Sequence, residues 1–82
     1  MSVTEATNAV EAAQCEKREA ERDRAALTRA RRLATDEGYG ADGDVIAALS
    51  YLSTLAARRW ELAERAIDSA LVALNEAEQV SR

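Results

Sequence analysis

Apolar residues recur at helical spacing through the second half of the chain, from Val45 towards Gln79. On a helical wheel they cover an arc of roughly 200°, which is wider than the surface one partner helix can bury. We therefore predict a second helix over residues 45–79 that packs against more than one neighbour. Its apolar positions are Val45, Ile46, Leu49, Leu52, Leu55, Ala56, Trp60, Leu62, Ala63, Ile67, Leu71 and Leu74.

The first half of the chain has a narrower apolar face, built mostly from alanine methyl groups. Ser2 and Glu5 have the spacing of a capping box, which predicts a helix beginning at Val3. Neither glycine nor proline interrupts the pattern before Gly38, so the helix is expected to run to about Asp36, a length of roughly 50 Å. The residues on this face are Ala6, Ala9, Ala13, Ala20, Leu27, Ala30 and Ala34.

A turn is predicted between the two helices, because all the glycines of the chain fall there together with Asp42. Gly38 can adopt the left-handed conformation that ends a helix. Asp44 is the predicted N-cap of the second helix, since a carboxylate there can accept hydrogen bonds from the first free backbone N–H groups of the helix. The glycines are Gly38, Gly40 and Gly43.

Two helices and one turn predict an all-α fold: a long antiparallel two-helix hairpin, with helices at about 3–36 and 45–79, forming a single domain over 1–82. If the chain reverses near Gly40, residue i of the first helix lies near residue 80 − i of the second. This register sets large side chains against small ones, as close packing requires. The predicted pairs are Trp60 with Ala20, Ile67 with Ala13, and Leu74 with Ala6.

The wide apolar arc of the second helix predicts association with further helices. We expect a homodimer or higher oligomer, completed as a four-helix bundle with coiled-coil packing, and contact with another protein as well. The expected function is a non-enzymatic interaction or structural assembly subunit, such as an adaptor or accessory protein of a phage or bacterium. The expected interface residues are Leu49, Leu52, Leu55, Trp60, Leu62, Ile67, Leu71 and Leu74.

Catalytic and metal-binding functions are disfavoured because the chain contains no histidine. Glu61 and Glu64 are spaced for one helix face, but a carboxylate-bridged iron site ordinarily adds a Glu-x-x-His pair. The usual general base for a serine or cysteine nucleophile is also missing. Cys15, the only cysteine, reads as a small packing residue. We expect no enzyme activity, no metal and no cofactor.

Nucleic-acid binding is an alternative function, because four arginines of the first helix lie on one side of it. Such a stripe could follow a row of phosphates. Against this, acidic residues lie beside it, no aromatic residue could stack on a base, and the net charge of the chain is −4. A solvated face with ion pairs along the helix is the preferred interpretation. The stripe is Arg18, Arg22, Arg29 and Arg32.

Two further features have open interpretations. Tyr39 lies between two glycines, where it could contact a partner or fold back over Leu33 and Ile46. Charged residues interrupt the inner face of the first helix, either as a buried polar layer that fixes register or as long side chains that reach outward to solvent. These interrupting residues are Glu16, Lys17, Asp23, Arg24 and Arg31.

No apolar run reaches the roughly 20 residues that span a bilayer, and Met1 to Val10 lacks the features of a cleaved signal. The expected location is the cytoplasm, or the virion if the gene belongs to a phage.

The turn, Glu37-Gly38-Tyr39-Gly40, joins two helices in a small acidic chain. In this overall shape the chain resembles the WXG100 family, small proteins secreted by the type VII system that form helical-hairpin dimers. That family has Trp-x-Gly in the turn, whereas Trp60, the only tryptophan here, lies inside the second helix. A Tyr-x-x-x-Asp/Glu export signal is not evident near the C-terminus either. The resemblance therefore implies a secreted helical hairpin only as a third hypothesis.

Overall fold

A computed structural model describes residues 1–81 as two long antiparallel helices joined by a short turn. Helix α1 spans Val3–Asp36 and helix α2 spans Gly43–Ser81, with a single 3₁₀ turn at Tyr39–Ala41. The molecule is a rod of 62 × 14 × 11 Å. The predicted all-α helical hairpin is confirmed, with α1 ending at the predicted residue and α2 extending slightly beyond the predicted range at both ends.

Helix α1 begins with the predicted capping interaction. The backbone N–H of Glu5 donates to Oγ of Ser2 at 3.1 Å. The Ser2 hydroxyl in turn donates to Oε1 of Glu5 at 3.2 Å. The glutamate therefore binds the serine side chain rather than the serine backbone amide, so only one half of a capping box is formed.

The turn follows from one left-handed residue. Gly38 has φ = 92°, a conformation that costs little without a Cβ atom, and it ends α1 as predicted. The N–H of Glu37 donates to the carbonyl of Leu33, and that of Gly38 donates to the carbonyl of Thr35. These bonds use backbone carbonyl groups that the end of a helix would otherwise leave without partners.

The N-cap of α2 is Asp42, so the prediction of Asp44 was wrong. Oδ1 of Asp42 accepts from the backbone N–H groups of Asp44 and Val45, at 3.0 and 3.2 Å. Asp42 has extended backbone angles, φ −80° and ψ 106°, as an N-cap requires, whereas Asp44 already lies in the first turn of the helix. Helix α2 therefore begins two residues before the predicted Val45.

Alanine forms the deepest layer between the helices. On α2 the buried residues are four alanines, each seven positions after the one before, and three alanines of α1 have the same spacing. A seven-residue repeat keeps one line of residues facing a partner helix, and a methyl group lets the two helix axes approach closely. The buried residues are Ala6, Val10, Ala13, Ala20, Ala56, Ala63, Ala70 and Ala77.

The large apolar residues of α2 lie beside this alanine layer rather than within it. Leu49, Trp60, Ile67 and Leu74 are half-buried, and no large side chain of the described residues is fully buried. The expected packing of large α2 side chains against small α1 side chains is therefore incomplete. Alanines line the centre from both helices, and the larger side chains flank them.

Two cross-helix contacts at the centre of the rod agree with the predicted register to within one residue. Lys17 pairs with Glu64, where position 63 was predicted, and Glu21 accepts from Trp60, where position 59 was predicted. The chain reversal near Gly40 sets this register.

Candidate interaction surface

One side of the hairpin carries a row of exposed apolar residues, which we call the leucine face. Its three leucines, Leu52, Leu55 and Leu62, are 46, 41 and 49% exposed. They follow one another at three- and seven-residue intervals, so they line up along α2. Alanines of both helices fill the space beside them. The leucine face consists of Leu52, Leu55, Leu62 and Ala66 from α2 with Ala9, Ala12 and Ala26 from α1.

Two shallow grooves run between the helices on this face. The groove nearer the turn lies between Ala26 and Leu27 on one side and Leu52 and Leu55 on the other. The groove nearer the termini lies between Ala9 and Ala12 of α1 and Leu62 of α2. Arg59 borders both grooves. The apolar surface is thus divided at its centre by a charged residue.

Arg59 bridges the two helices through three carboxylates of α1, a group we call the Arg59 cluster. Nη1 donates to Asp23 Oδ2 at 2.8 Å, and Nη2 donates to Glu16 Oε2 at 3.2 Å and Glu19 Oε2 at 3.5 Å. The hydrogen bond with Glu16 is the main cause of a raised pKa for Arg59, reinforced by the charges of Glu16, Asp23 and Glu19. With three carboxylates against one guanidinium, the cluster has two negative charges in excess.

The opposite side of the hairpin is polar at its centre. Nε1 of Trp60 donates to Oε1 of Glu21 at 3.0 Å, and Nζ of Lys17 lies 5.2 Å from the centroid of the Trp60 ring. Lys17 also pairs with Glu64, and this hydrogen bond is the main cause of its raised pKa. The ammonium group is thus held between a carboxylate and an aromatic face. This side of the rod therefore presents charged groups around Trp60 at its centre, whereas Leu71, 47% exposed, lies on the same flank nearer the C-terminus.

The eight predicted interface residues do not form one surface. Leu49, Trp60, Ile67 and Leu74 face α1 in part, and Leu52, Leu55 and Leu62 form the leucine face. Leu71 lies roughly 160° around α2 from Leu55 by helical angle, on the opposite flank. The exposed part of the predicted interface is therefore divided between the three leucines of the leucine face and Leu71, 47% exposed, on the other flank.

The charged residues that interrupt the inner face of α1 have different surroundings. Glu16 and Asp23 belong to the Arg59 cluster, whereas Lys17 is half-buried against Trp60. Arg24 and Arg31 are exposed, in line with the prediction of side chains that reach solvent. None of the five is buried, so the buried polar layer is not formed, although three of them make ion pairs across the helices.

The four arginines of the predicted stripe are all exposed. The ion pairs along the helix that we expected for them are not formed: within residues 1–81 every ion pair involves Lys17 or Arg59. The four residues are Arg18, Arg22, Arg29 and Arg32.

At the tip, Tyr39 is half exposed and leaves Leu33 59% exposed, so it does not shield that leucine from solvent. Cys15 is exposed on α1 rather than packed, and its Sγ donates to Oε1 of Glu19 at 3.7 Å. Among the residues that the structure describes, no three Cys, Asp or Glu side chains are grouped so that they could hold a metal ion.

Sequence reasoning did not single out Arg59. The available signal was its position: it is a charged residue within the line of Leu52, Leu55, Leu62 and Ala66 on α2. The register also places it opposite the stretch of α1 where alanines give way to carboxylates. Read together, these two patterns indicate a charged contact between the helices.

No protein-family model, curated protein or solved structure matches this chain. The resemblance to the WXG100 family therefore remains one of shape. Neither α1 nor α2, as described, is long and apolar enough to cross a membrane.

Proposed function

We propose that this protein is a non-enzymatic assembly subunit that works by packing its leucine face against helices of another chain. The observation that supports this most directly is the alignment of Leu52, Leu55 and Leu62, each more than 40% exposed, on one side of the rod. Isolated exposed leucines are common on protein surfaces, whereas exposed apolar residues grouped into patches, such as the two grooves of this face, mark an interaction surface.

The energetic reason is that the hairpin buries little by itself. Its deepest layer consists of seven alanines and one valine. Full burial of a leucine side chain contributes about 1.5 to 3 kcal/mol, so covering three half-exposed leucines is worth several kcal/mol to any assembly that forms on this face. A further helical layer gives the fold the large buried side chains that it otherwise lacks.

The added layer can come from a second copy, which gives the four-helix bundle expected from the sequence, or from another protein. Light scattering at tens of micromolar distinguishes the two. A mass of two or more chains supports self-assembly. A single-chain mass requires a different partner, identified by reciprocal purification of the tagged proteins from the source cells.

The test of the face is Leu55→Asp, because a carboxylate within the leucine face opposes its burial. We expect this variant to lose the assembly, whether with itself or with the purified partner. Val72→Asp is the matched control, since Val72 is an exposed apolar residue of α2 that lines neither groove. If Leu55→Asp assembles as well as Val72→Asp, the proposed working surface is wrong.

A second candidate function is nucleic-acid binding through the four exposed arginines of α1, which form no ion pair within the described residues. Fluorescence anisotropy with duplex DNA and RNA tests it. Binding that persists at physiological salt and is weakened by Arg22→Glu supports this function. Absence of binding at low salt rules it out.

A further inference from the structure

The Arg59 cluster interrupts the leucine face at its centre. Arg59 lies within one turn of the middle of α2, which spans Gly43–Ser81, and Glu19 lies at the middle of α1, which spans Val3–Asp36. Apolar grooves extend from the cluster in both directions. Any partner that covers both grooves must also cover the cluster.

The charge of the cluster restricts that partner. Glu16, Glu19 and Asp23 surround a single guanidinium, so two carboxylate charges are not neutralised within the cluster. In the free protein these side chains are about half exposed and water solvates them. Under an apolar partner they would lose that water without gaining a counter-charge, which opposes binding. A cation from the partner removes this cost and adds charge-assisted hydrogen bonds.

We propose that the leucine face docks an amphipathic α-helix of another protein, with a lysine or arginine at its centre and apolar residues one and two turns to either side. This inference rests on the proposed function and names the partner class. The spacing comes from α2 itself: Leu55 and Leu52 lie about one and two turns before Arg59, and Leu62 and Ala66 about one and two turns after it. Two helices that pack side by side have the same rise, so the partner requires the same intervals.

A second copy fits this surface poorly. A two-fold axis that pairs the whole face with itself passes through its middle, and the cluster occupies the middle. In such a dimer the Arg59 clusters of the two copies meet, so two guanidinium groups lie among six carboxylates. Like charges brought together in a covered interface oppose association, whereas a helix with a central cation has complementary charge.

The experiment uses the full chain and two synthetic amphipathic helices of about 20 residues, long enough to cover both grooves. Each peptide has leucines one and two turns on either side of its central residue, which is arginine in one peptide and glutamate in the other. Binding is measured by fluorescence anisotropy at low and physiological salt. We expect the arginine peptide to bind at least about tenfold more tightly, with a difference that shrinks as salt screens the charges.

Variants of the protein test whether the Arg59 cluster causes the preference for the arginine peptide. The double variant Glu19→Gln with Asp23→Asn removes the two excess charges, and we expect it to bind both peptides with similar affinity. Leu55→Asp is expected to bind neither peptide, whereas Val72→Asp should bind both peptides with the affinity of the unchanged protein. Circular dichroism establishes that each variant keeps its helices.

Equal binding of the two peptides to the unchanged protein, or tighter binding of the glutamate peptide, overturns the proposal. Failure of both peptides to bind overturns it as well. If the protein is instead a homodimer that Leu55→Asp dissociates, the leucine face is an interface and the proposed function stands, but the partner class inferred here is wrong. If the protein neither assembles nor binds either peptide, both proposals fall.

Discussion

Trp60 and Glu21 are joined across the hairpin by a hydrogen bond of 3.0 Å from the indole Nε1 to the carboxylate Oε1. The indole ring packs along the helix seam while its N–H group reaches a carboxylate at the edge, which satisfies the polar end of a half-buried aromatic. Trp60 is the only tryptophan in the chain. Its fluorescence therefore reports directly on whether α1 and α2 are packed together.

Because of the Lys17–Glu64 pair beside this tryptophan, the free energy of unfolding should fall as the pH is raised in the alkaline range. The hydrogen bond to Glu64 raises the pKa of Lys17, so the folded protein holds this proton more tightly than the unfolded chain does. The stabilisation is fully present below the unfolded pKa, about 10.4, and is lost as pH rises through the higher folded value. Urea unfolding followed by Trp60 fluorescence between about pH 9 and pH 12 measures it.

Lys17→Met is the control for that titration. It keeps an unbranched side chain but has no proton to lose, so it should show a smaller loss of stability over the same pH range. The two proteins differ at this one residue, so the difference between their pH profiles reports on Lys17 alone. The same alkaline loss in both proteins would show that the pair contributes nothing measurable.

The alanine layer should not tolerate enlargement. Ala20 is fully buried, so Ala20→Leu must push the helix axes apart or force strained side-chain conformations, at a cost of about 1 to 3 kcal/mol. Ala25→Leu adds the same side chain at an exposed position of α1 and should change stability little. Denaturant midpoints compare the two, and equal stability would contradict close packing through the alanines.

The stability of helix α2 should depend more on Asp42 than on Asp44. Asp42→Ala removes the acceptor for two backbone N–H groups, and loss of such a cap costs about 0.5 to 2 kcal/mol. Asp44→Ala removes only a favourable charge in the first helical turn, worth about 0.3 to 1 kcal/mol. Thermal unfolding by circular dichroism ranks them, and a larger loss for Asp44→Ala would restore the prediction made from sequence.

The glycines of the turn should differ in their tolerance of a side chain. Gly38→Ala places a Cβ atom at φ = 92°, where an L-residue is strained by about 1 to 2 kcal/mol, although there is space around it. Gly43→Ala also has free space, and its backbone is helical, so replacing glycine there should stabilise the protein slightly. Unfolding experiments should show that Gly38→Ala lowers the free energy of unfolding and that Gly43→Ala raises it.

The sequence by itself determined the positions of the two helices and of the turn between them. The apolar spacing, the Ser2 cap and the left-handed Gly38 are local features, because a helix and its ends are specified by residues within a few positions of one another. The choice between Asp42 and Asp44 lay beyond such reasoning. Both residues can cap a helix, and which one does so depends on where the backbone leaves the 3₁₀ turn.

Only the tertiary structure decided which residues form the deepest layer and which remain outside. The sequence pattern placed Trp60, Ile67 and Leu74 of α2 against small residues of α1 as the central contacts. Close approach of two helix axes favours methyl groups at the centre, so Ala56 and Ala63 are buried while Leu55 and Leu62 are displaced to the side. The Arg59 cluster likewise arises only when the hairpin closes, since it joins residues 36 to 43 positions apart in the chain.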